Sequence, residues 1–474
     1  SALPSSSAGV LADFCTAACG MEGVGNCSGA LAPKCTEMRD LGLALECANV
    51  SNVQNETLLQ AVTIDTAAKL QRAILAADVE SAVYCYERGL GGDAINSRTP
   101  TSQPSAYVIC PTATILELPP DVVIGLGGVQ IEIPSGLAVE IRGTGGGGAT
   151  IDGQQLSRIF NVHAGAQLIL RDVHLINGRA DEGGCVKIDG DGLSTGFTMF
   201  GGSISDCHAA GNGGGIYASG SFTLRDPELG NGIFLQRTEF LRCSAGVEGG
   251  GIFADAHFAW LYDVRIVDST SVGLGGGMSL HNLVAGYSRN LTIGRCVSDL
   301  GGGGLAIAGG TYQIDVLEVF ECSVQVCDSC QPGLHSGGLS VYLGATATID
   351  DAHIHHNDHG GLSALSGASL QCSRLLLEEN EGTFGSGGVI DAASKLKVMD
   401  SKVRKNRADL TQANGGGAFW VQTNSEILLI DAEVSENQAS VGAGIAVTMG
   451  SRSKQATEPG SKAITPALAS PQVK

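Results

Sequence analysis

The chain has 474 residues, of which 69 are glycine, or about 15%, twice the usual share of about 7%. An apolar content of 43% with only 13 prolines excludes a collagen-like or low-complexity chain, and a net charge of −20 argues against nucleic acid or an anionic membrane as partner. No uninterrupted apolar run approaches the roughly 18 residues that a membrane-spanning helix needs.

Cysteines and glycosylation sequons predict an extracellular or cell-surface protein. Seven of the 15 cysteines precede residue 111, and that density is typical of disulfide-bonded secreted chains. Four Asn-x-Ser/Thr sequons predict glycosylation at Asn26, Asn49, Asn55 and Asn290. The disulfide candidates are Cys15, Cys19, Cys27, Cys35, Cys47, Cys85, Cys110, Cys322, Cys327 and Cys330.

Both ends of the chain differ in composition from its centre. Residues 1–50 are rich in Gly, Ala, Ser and Cys and too few to build a core, so we predict a small disulfide-stapled segment. Zinc is the alternative for these cysteines, although a CxxC pair and a nearby His are missing. Residues 450–474 combine Pro, Ser, Lys and Ala with little apolar content and predict a flexible tail.

Residues 51–106 predict a helical cap for the central part of the chain. Asp65 and Thr66 can accept hydrogen bonds from the first turn of a helix. The apolar positions of that helix fall on one face, at Ala67, Leu70, Ile74 and Ala77.

Residues 107–449 contain an internal repeat, which predicts the fold. An apolar residue follows each of ten glycine clusters, and the nine steps from 186 to 445 average about 29 residues. These residues are Val186, Ile216, Ile252, Met278, Leu305, Leu339, Leu362, Val389, Ala418 and Ile445. Fixed anchors with varying spacing are typical of a solenoid whose insertions lie in loops. We predict an all-β, right-handed parallel β-helix of about 13 coils, three of them before residue 186.

A second column of anchors precedes most glycine clusters, with Cys, Ser or Asn three residues after an apolar residue. Its members are Cys207, Cys243, Ser269, Cys296, Cys322, Asn357, Asn380, Asn406 and Asn437. Coils about 4.8 Å apart would stack these side chains. We predict an asparagine ladder, and for the cysteines at 207 and 243, or 296 and 322, either disulfides or an unbonded buried stack.

The residues directly before these anchors alternate in charge. They are Asp206, Arg242, Asp268, Arg295, Glu321, His356, Glu379, Lys405 and Glu436. In-register coils would place opposite charges next to each other, so we predict a charge ladder. The column four residues before the anchors is similar, with Glu239 before Arg265 and Glu318 before His353.

Several motifs resemble those of the pectin-lyase-like right-handed parallel β-helix proteins, especially polymorphic-outer-membrane-protein-type passenger domains and secreted or surface relatives in microalgae. The motifs are Ile109-Cys110-Pro111, Ala149-Thr150-Ile151-Asp152-Gly153, Leu175-Ile176-Asn177-Gly178, and Gly-Gly-Gly-Ile at 213–216 and 249–252. The resemblance spans about residues 58–449. It implies the fold but not one function, because such relatives include adhesins, structural surface proteins and polysaccharide-cleaving enzymes. The polygalacturonase motifs Asn-Thr-Asp, Gly-His-Gly and Arg-Ile-Lys do not occur, so no catalytic residue is transferred.

The outward positions after each glycine cluster predict a groove with two columns of side chains. One column holds Lys187, Tyr217, Phe253 and Ser279, and the next holds Asp189, Ser219, Asp255 and His281. Aromatic rings beside acids and a cation suit a surface that binds or cleaves polysaccharide. Asp189 and Asp255 would lie about 9 to 10 Å apart, near the upper limit for an inverting carboxylate pair. If the chain is an enzyme, its candidate residues are Lys187, Tyr217, Asp189, Asp255 and His281; ordinary surface residues are the alternative.

Three clusters have residue types that can bind a metal ion, and we assign none of them as a metal site. Asp189 and Asp191, in Asp-Gly-Asp-Gly, could bind Ca²⁺, although such a run is more often a turn. The His-rich segment 350–359 has an alternative role in the charge columns. Cys322, Cys327, Cys330 and His335 have the residue types of a zinc site, but an oxidising compartment favours a disulfide there. We expect no cofactor, with Ca²⁺ left open.

These observations favour a secreted or cell-surface structural or adhesive protein that forms part of an extracellular assembly. Its expected partners are other extracellular proteins or copies of itself, with polysaccharide as a further ligand class. The alternative is a polysaccharide lyase or glycoside hydrolase that acts in a groove along the β-helix. The absence of a nucleotide loop, a nucleophile elbow and an HExxH motif leaves little support for other enzyme classes.

Overall fold

The computed structural model describes residues 64–75, 114–191, 195–221, 232–255, 258–283, 285–325, 336–383, 385–410, 415–448 and 450–456. The predicted disulfide-stapled segment, His335 and most of the predicted tail lie outside these residues. So do three sequon asparagines and nine cysteines, namely Asn26, Asn49, Asn55, Cys15, Cys19, Cys27, Cys35, Cys47, Cys85, Cys110, Cys327 and Cys330.

A single described helix, α1 (Ala67–Leu75), precedes the strands. Thr66 caps it, because its Oγ1 accepts a hydrogen bond from the backbone N–H of Lys69 at 3.3 Å. Leu70 and Ile74 are fully buried, as the apolar pattern predicts.

Helix α1 also pairs with the first strand edge of one sheet. The Gln71 side chain donates to the Glu132 carbonyl at 3.1 Å and accepts from the Glu132 N–H at 2.7 Å. An amide side chain thus substitutes for a neighbouring strand at an edge that would otherwise expose its backbone groups. The structure supports the predicted cap for the part of it that is described.

The rest of the described chain is built from short strands. In chain order they are β1 (Thr114–Leu118), β2 (Val123–Gly125), β3 (Ile131–Ile133), β4 (Ala138–Gly143), β5 (Ala149–Asp152), β6 (Phe160–Val162), β7 (Gln167–Arg171), β8 (Val173–Ile176), β9 (Arg179–Ala180), β10 (Val186–Asp191), β11 (Gly196–Phe200), β12 (Ser203–Ser205), β13 (His208–Ala209), β14 (Ile216–Ser221), β15 (Gly232–Gln236), β16 (Glu239–Leu241), β17 (Ser244–Ala245), β18 (Ile252–Asp255), β19 (Phe258–Val267), β20 (Thr270–Ser271), β21 (Met278–His281), β22 (Ala285–Gly294), β23 (Val297–Ser298), β24 (Leu305–Ala308), β25 (Thr311–Ile314), β26 (Leu317–Phe320), β27 (Ser323–Val324), β28 (Leu339–Tyr342), β29 (Thr346–Asp350), β30 (Ala352–His355), β31 (Leu362–Ala364), β32 (Ser369–Ser373), β33 (Leu376–Glu378), β34 (Glu381–Gly382), β35 (Gly388–Ile390), β36 (Lys395–Met399), β37 (Lys402–Arg404), β38 (Arg407–Ala408), β39 (Phe419–Val421), β40 (Glu426–Ile430), β41 (Glu433–Ser435), β42 (Ile445–Val447) and β43 (Arg452–Ala456).

These strands wind into a parallel β-helix with three long sheets. Sheet A has 23 strands and receives two stretches from each coil, sheet B has 12 strands, and sheet C has six. The 12 strands of sheet B follow the order β3-β6-β10-β14-β18-β21-β24-β28-β31-β35-β39-β42 and define about 11 turns. The sequence predicts about 13 coils, three of them before residue 186, whereas only β3 and β6 precede β10 in this sheet.

The predicted register of sheet B is confirmed from Val186 through Leu362. The next two predicted anchors, Val389 and Ala418, are each wrong by one residue: Gly388 lies in line with Leu362, and Phe419 lies in line with Gly388 and Ile445. A Cβ on Gly388 would lie 2.7 Å from Leu362 Cδ1 and 3.1 Å from the Phe419 ring. The Phe419 ring thus occupies the space that the absent side chain leaves, so a glycine serves as an inward-facing anchor.

The asparagine ladder is confirmed. The Oδ1 of Asn380 accepts hydrogen bonds from both the backbone N–H and the Nδ2 of Asn357, each at 3.0 Å. Asn406 accepts in the same way from Asn380, at 3.1 and 2.9 Å, and Asn437 from Asn406, at 3.0 and 2.9 Å. Each amide therefore ties one coil to the next inside the solenoid.

For the cysteines of this column, the structure confirms the unbonded buried stack at Cys296 and Cys322, whereas Cys207 has a partner that was not predicted. Cys207 forms a disulfide with Cys185, with a Cα–Cα separation of 5.6 Å, and not with Cys243. Cys243, Cys296 and Cys322 are buried free thiols, which corrects the disulfide predicted for Cys322. Cys185 was missed as a partner because it lies outside this column, directly before β10.

The charge ladder forms as pairs. Two hydrogen bonds, each of 2.7 Å, join Arg242 to Asp206, and Arg295 binds Asp268 at 2.6 and 2.9 Å. Further along, Glu379 lies between His356 at 2.9 Å and Lys405 at 3.1 Å. All nine ladder residues adopt φ between 51° and 57°, a left-handed conformation that is uncommon outside glycine, at the corner between strands.

A buried carboxylate near the first coils is neutralised by arginine. Glu140 is fully buried in β4, and both Arg142, at 2.6 Å, and Arg171 donate to its Oε1. Burial alone would raise the pKa of Glu140, but hydrogen bonds from the two guanidinium groups outweigh it and hold the pKa below its ordinary value.

The solenoid continues beyond its predicted end at residue 449. Strand β43 pairs in parallel with β40 and ends at Ala456, within the predicted tail. Its residues are polar and exposed, so their side chains gave no sign of a buried strand.

Candidate functional site

The outer face of sheet B carries both predicted columns in the expected register. Lys187 pairs with Tyr217 and Tyr217 with Phe253, while Ser219 separates Asp189 from Asp255 in the neighbouring column. His281 follows Asp255 in the next strand. The structure therefore brings all five candidate residues of the predicted groove onto one face.

Two aromatic rings form a flat platform at the centre of this face. Tyr217 and Phe253 stack with ring centroids 5.5 Å apart and an interplanar angle of 8°. The His281 ring continues the row, 5.1 Å from Phe253. Because Phe253 is only 8% exposed, the neighbouring side chains hold the platform rigidly.

At one end of the platform, Lys187 is surrounded by acids. Its Nζ lies 3.3 Å from Glu182 and 3.3 Å from Asp189, and 5.8 Å from the centre of the Tyr217 ring. Burial raises the pKa of Tyr217, and nearby carboxylates contribute to this shift. The lysine therefore balances two carboxylates beside a protonated phenol.

At the other end, His281 is held by a carboxylate and a hydroxyl. Its Nε2 lies 2.7 Å from Glu248 Oε2, and the Ser279 hydroxyl lies 2.9 Å from the same oxygen and 3.0 Å from that nitrogen. The side chains of His281 and Glu248 are each 20% exposed. The imidazole thus has a fixed orientation and little free surface.

Asp255 belongs to neither group. Its Oδ1 accepts a hydrogen bond from Asn282 at 3.3 Å. Two strand steps separate it from Asp189, or about 9 to 10 Å. The two predicted carboxylates share a face, and each already has a partner of its own.

Sequence reasoning missed Glu182 and Glu248, the acids that complete these two contacts. Each lies four residues before an anchor of sheet B, Val186 and Ile252 respectively. An acid recurring at one fixed offset from the anchors was the available signal.

The predicted calcium candidates are not brought together by any described contact. Asp189 binds Lys187, whose ammonium group occupies the position beside the carboxylate that a cation would use. Asp191 is the last residue of β10, and its side chain is outside the described part.

A second row of aromatic side chains crosses sheet A and was not predicted. Phe200, Phe234, Tyr262 and Tyr287 follow one another with ring centroids 5.5 to 5.6 Å apart. The Arg171 guanidinium carbon lies 4.1 Å from the centre of the Phe200 ring. These residues come from four successive coils, so their proximity is apparent only once the register of sheet A is known.

The His-rich segment lies at the end of β30 and the corner after it. Register places His353 beside Glu318, as predicted, but its Nε2 contacts Glu378, at 3.1 Å. His355 is more enclosed: burial lowers its pKa, and the neighbouring rings of His353 and His356 lower it further. One ligand atom from each of Glu318, His353 and His355 lies within 4.8 Å of the others, so these residues could hold a metal ion.

Asn290 is the one predicted glycosylation position within the described residues. It is exposed at a corner of β22, and its Nδ2 donates to Asp263 at 2.6 Å. Glycosylation there stays a prediction.

Among the described residues, no helix has the length and apolar content needed to cross a membrane. No protein-family model, no curated protein and no solved structure matches this chain.

Proposed function

We propose that this chain is a secreted or cell-surface structural and adhesive protein of an extracellular assembly, similar in role to the β-helix passenger domains that its motifs resemble. The platform of Tyr217 and Phe253 is its adhesive surface, and an extended polysaccharide is its ligand. The observation that carries the proposal is this rigid, stacked aromatic pair flanked by charged groups that are already matched with one another.

A preorganised platform favours binding because few side chains have to be ordered when a ligand arrives. The half-exposed Tyr217 ring offers apolar surface, and the buried Phe253 ring stacked against it holds it in place. Lys187 and its two carboxylates beside this ring can donate to and accept from hydroxyl groups. The remaining strands of sheet B extend the surface along the solenoid axis, a geometry that suits a long ligand.

The same contacts favour adhesion over cleavage. A glycosidase needs two carboxylates that converge on one linkage, one of them as an acid and the other as a base or nucleophile. Here Asp189 is held by Lys187, Asp255 by Asn282, and Glu248 by His281. Glu182 and Asp189 converge only on the ammonium group of Lys187, which neutralises both carboxylates.

The test combines binding with turnover. The full chain is applied to immobilised acidic and neutral polysaccharides, and retention is measured together with released reducing ends and unsaturated products. We expect retention without turnover, and Tyr217→Ala should weaken binding about 3- to 10-fold through loss of the stacked ring. Phe234→Ala, which removes a half-buried aromatic ring from sheet A, is the matched control and should bind like the wild type.

Polysaccharide cleavage is the second candidate. The observation that favours it is the proximity of a cation, a carboxylate and a phenol at Lys187, Asp189 and Tyr217. Turnover that Asp255→Asn or His281→Ala abolishes would replace the adhesive proposal by this one. Turnover that both variants retain would place the chemistry elsewhere, with Lys187→Ala as the next variant to measure.

A further inference from the structure

Three side chains on two adjacent strands of sheet A point one ligand atom each toward a common space. Glu318 lies on β26, and His353 and His355 lie two residues apart on β30. The two imidazole rings stack with centroids 3.9 Å apart, and all three ligand atoms lie within 4.8 Å of one another. Neither the proposed adhesive surface nor the charge ladder uses His355.

Each imidazole has one nitrogen engaged away from this space. The Nε2 of His353 lies 3.1 Å from Glu378, which also accepts from Arg404 at 2.8 Å. The Nδ1 of His355 lies 2.8 Å from the Nδ1 of His356. A histidine that ligates a metal commonly donates its other ring N–H to a carboxylate or a similar acceptor, which fixes the tautomer.

The contacts of His356 determine where the protons lie in this chain of rings. Its Nε2 lies 2.9 Å from Glu379, so Nε2 carries the proton and donates to the carboxylate. In neutral His356 the Nδ1 is then an acceptor, and His355 Nδ1 donates to it. In this arrangement His355 Nε2 carries no proton and has a free lone pair.

That lone pair has no hydrogen-bond partner. The Nε2 atom of His355 is buried and unsatisfied, and its nearest acidic neighbour, Glu318 Oε1, lies 3.8 Å away, too far for a hydrogen bond. Two acceptors that face each other across a gap repel unless a cation lies between them. We propose that Glu318, His353 and His355 form a binding site for a divalent transition-metal ion, with zinc as the representative ion.

The donor set selects the class of metal. Two imidazole nitrogens and one carboxylate oxygen suit zinc and its neighbours in the first transition series, whereas Ca²⁺ and Mg²⁺ prefer oxygen ligands. Zinc–nitrogen and zinc–oxygen bonds of about 2.0 to 2.2 Å in tetrahedral geometry separate ligand atoms by roughly 3.3 to 3.6 Å. The 3.8 Å between His355 Nε2 and Glu318 Oε1 needs only a small contraction.

The site is open to solvent on one side. Glu318 and His353 line a shallow depression of about 450 Å³, with Asp351 and Arg374 on its rim. Three protein ligands would leave one tetrahedral position for water or a donor group of a partner. The ion would also cross-link two adjacent coils.

The experiment measures zinc binding by the full chain after removal of metals with a chelator, with zinc chloride alone as the probe. We expect His355→Gln and Glu318→Gln each to lose about one zinc ion per chain relative to the wild type. Glu378→Gln should weaken zinc affinity about 10-fold or more through loss of the contact that orients His353. The matched control is His163→Gln, which breaks another His–Glu contact, of 2.7 Å, away from this site and should leave the stoichiometry unchanged.

Cysteines elsewhere in the chain can also bind zinc, so the difference between variants is the readout. The proposal is overturned if His355→Gln and Glu318→Gln bind as many zinc ions as the wild type. Nitrogen chemical shifts of the wild-type histidines give a second measurement that does not depend on whether a variant folds. Zinc must shift the ring nitrogens of His353 and His355, and unchanged shifts would also overturn the site.

Discussion

The asparagine ladder allows the energy of one coil-to-coil contact to be predicted. In Asn380→Ala the Asn357 backbone N–H loses its acceptor, which lies 3.0 Å away in the native chain. The Nδ2 of Asn357 keeps its bond to the Val319 carbonyl at 3.0 Å, so only the backbone group is left unsatisfied. The Ile354 carbonyl and Asn406 lose the donor that Asn380 supplied.

The expected loss follows from these groups. A buried N–H without an acceptor costs about 1 to 3 kcal/mol, and each of two lost hydrogen bonds contributes about 0.5 to 1.5 kcal/mol. We therefore expect Asn380→Ala to reduce the free energy of unfolding by about 2 to 6 kcal/mol. Asn380→Ser should lose less, because the Ser269 hydroxyl in the same column accepts from the Cys243 N–H at 3.3 Å.

Hydrogen exchange is the appropriate assay, since a solenoid can open locally and a single global unfolding energy then averages over coils. The Asn357 amide should exchange faster in Asn380→Ala than in the wild type, with an intermediate rate in Asn380→Ser. Asn282→Ala, at an exposed position, is the control. Equal protection of the Asn357 amide in Asn380→Ala and in this control would refute the reasoning.

Three further predictions concern charge and thiols. Arg295→Glu places an acid beside Asp268, so its melting temperature should fall more at low than at high ionic strength, and equal losses would exclude the charge ladder. The pKa of Glu140 is lower in the folded than in the unfolded chain, so this carboxylate stabilises the fold above the unfolded pKa of about 4.3. That stabilisation is lost as the pH falls toward the folded pKa. The melting temperature of Glu140→Gln should therefore depend less on pH between about 5 and 3 than that of the wild type. Burial raises the pKa of Cys243 and Cys372 to about 12, so iodoacetamide should label both in the unfolded chain but not in the native one, as peptide mass spectrometry can check.

The repeat anchors made the fold predictable, because a position such as Ile216 recurs with the same neighbours in each coil. The predicted register of sheet B failed where a non-apolar residue occupies an inward position of the coil. Gly388 is an inward anchor without a side chain, and Phe419 supplies the missing volume from the next coil. Such compensation between residues about 30 positions apart cannot be recognised until the register is known.

Site contacts were less predictable than register. The two columns that contain Lys187 and Asp189 were predicted correctly. Their acidic partners were not: Glu182 contacts Lys187 and Glu248 contacts His281, each from a corner that precedes the strand. Likewise, His353 pairs with Glu378 on the following strand although Glu318 is its register neighbour. Side-chain length and rotamer decide these contacts, and neither follows from spacing along the chain.

The direction of the strands has a mechanical consequence. All described strand pairings run between successive coils, so the backbone hydrogen bonds point along the long axis. A force applied to the chain along that axis should break the backbone hydrogen bonds between one pair of coils after another, so that the solenoid opens in steps. A force applied across the strands must instead break a whole row of these hydrogen bonds at once. The Cys185–Cys207 disulfide links two adjacent coils covalently, so stepwise opening should halt at these two coils.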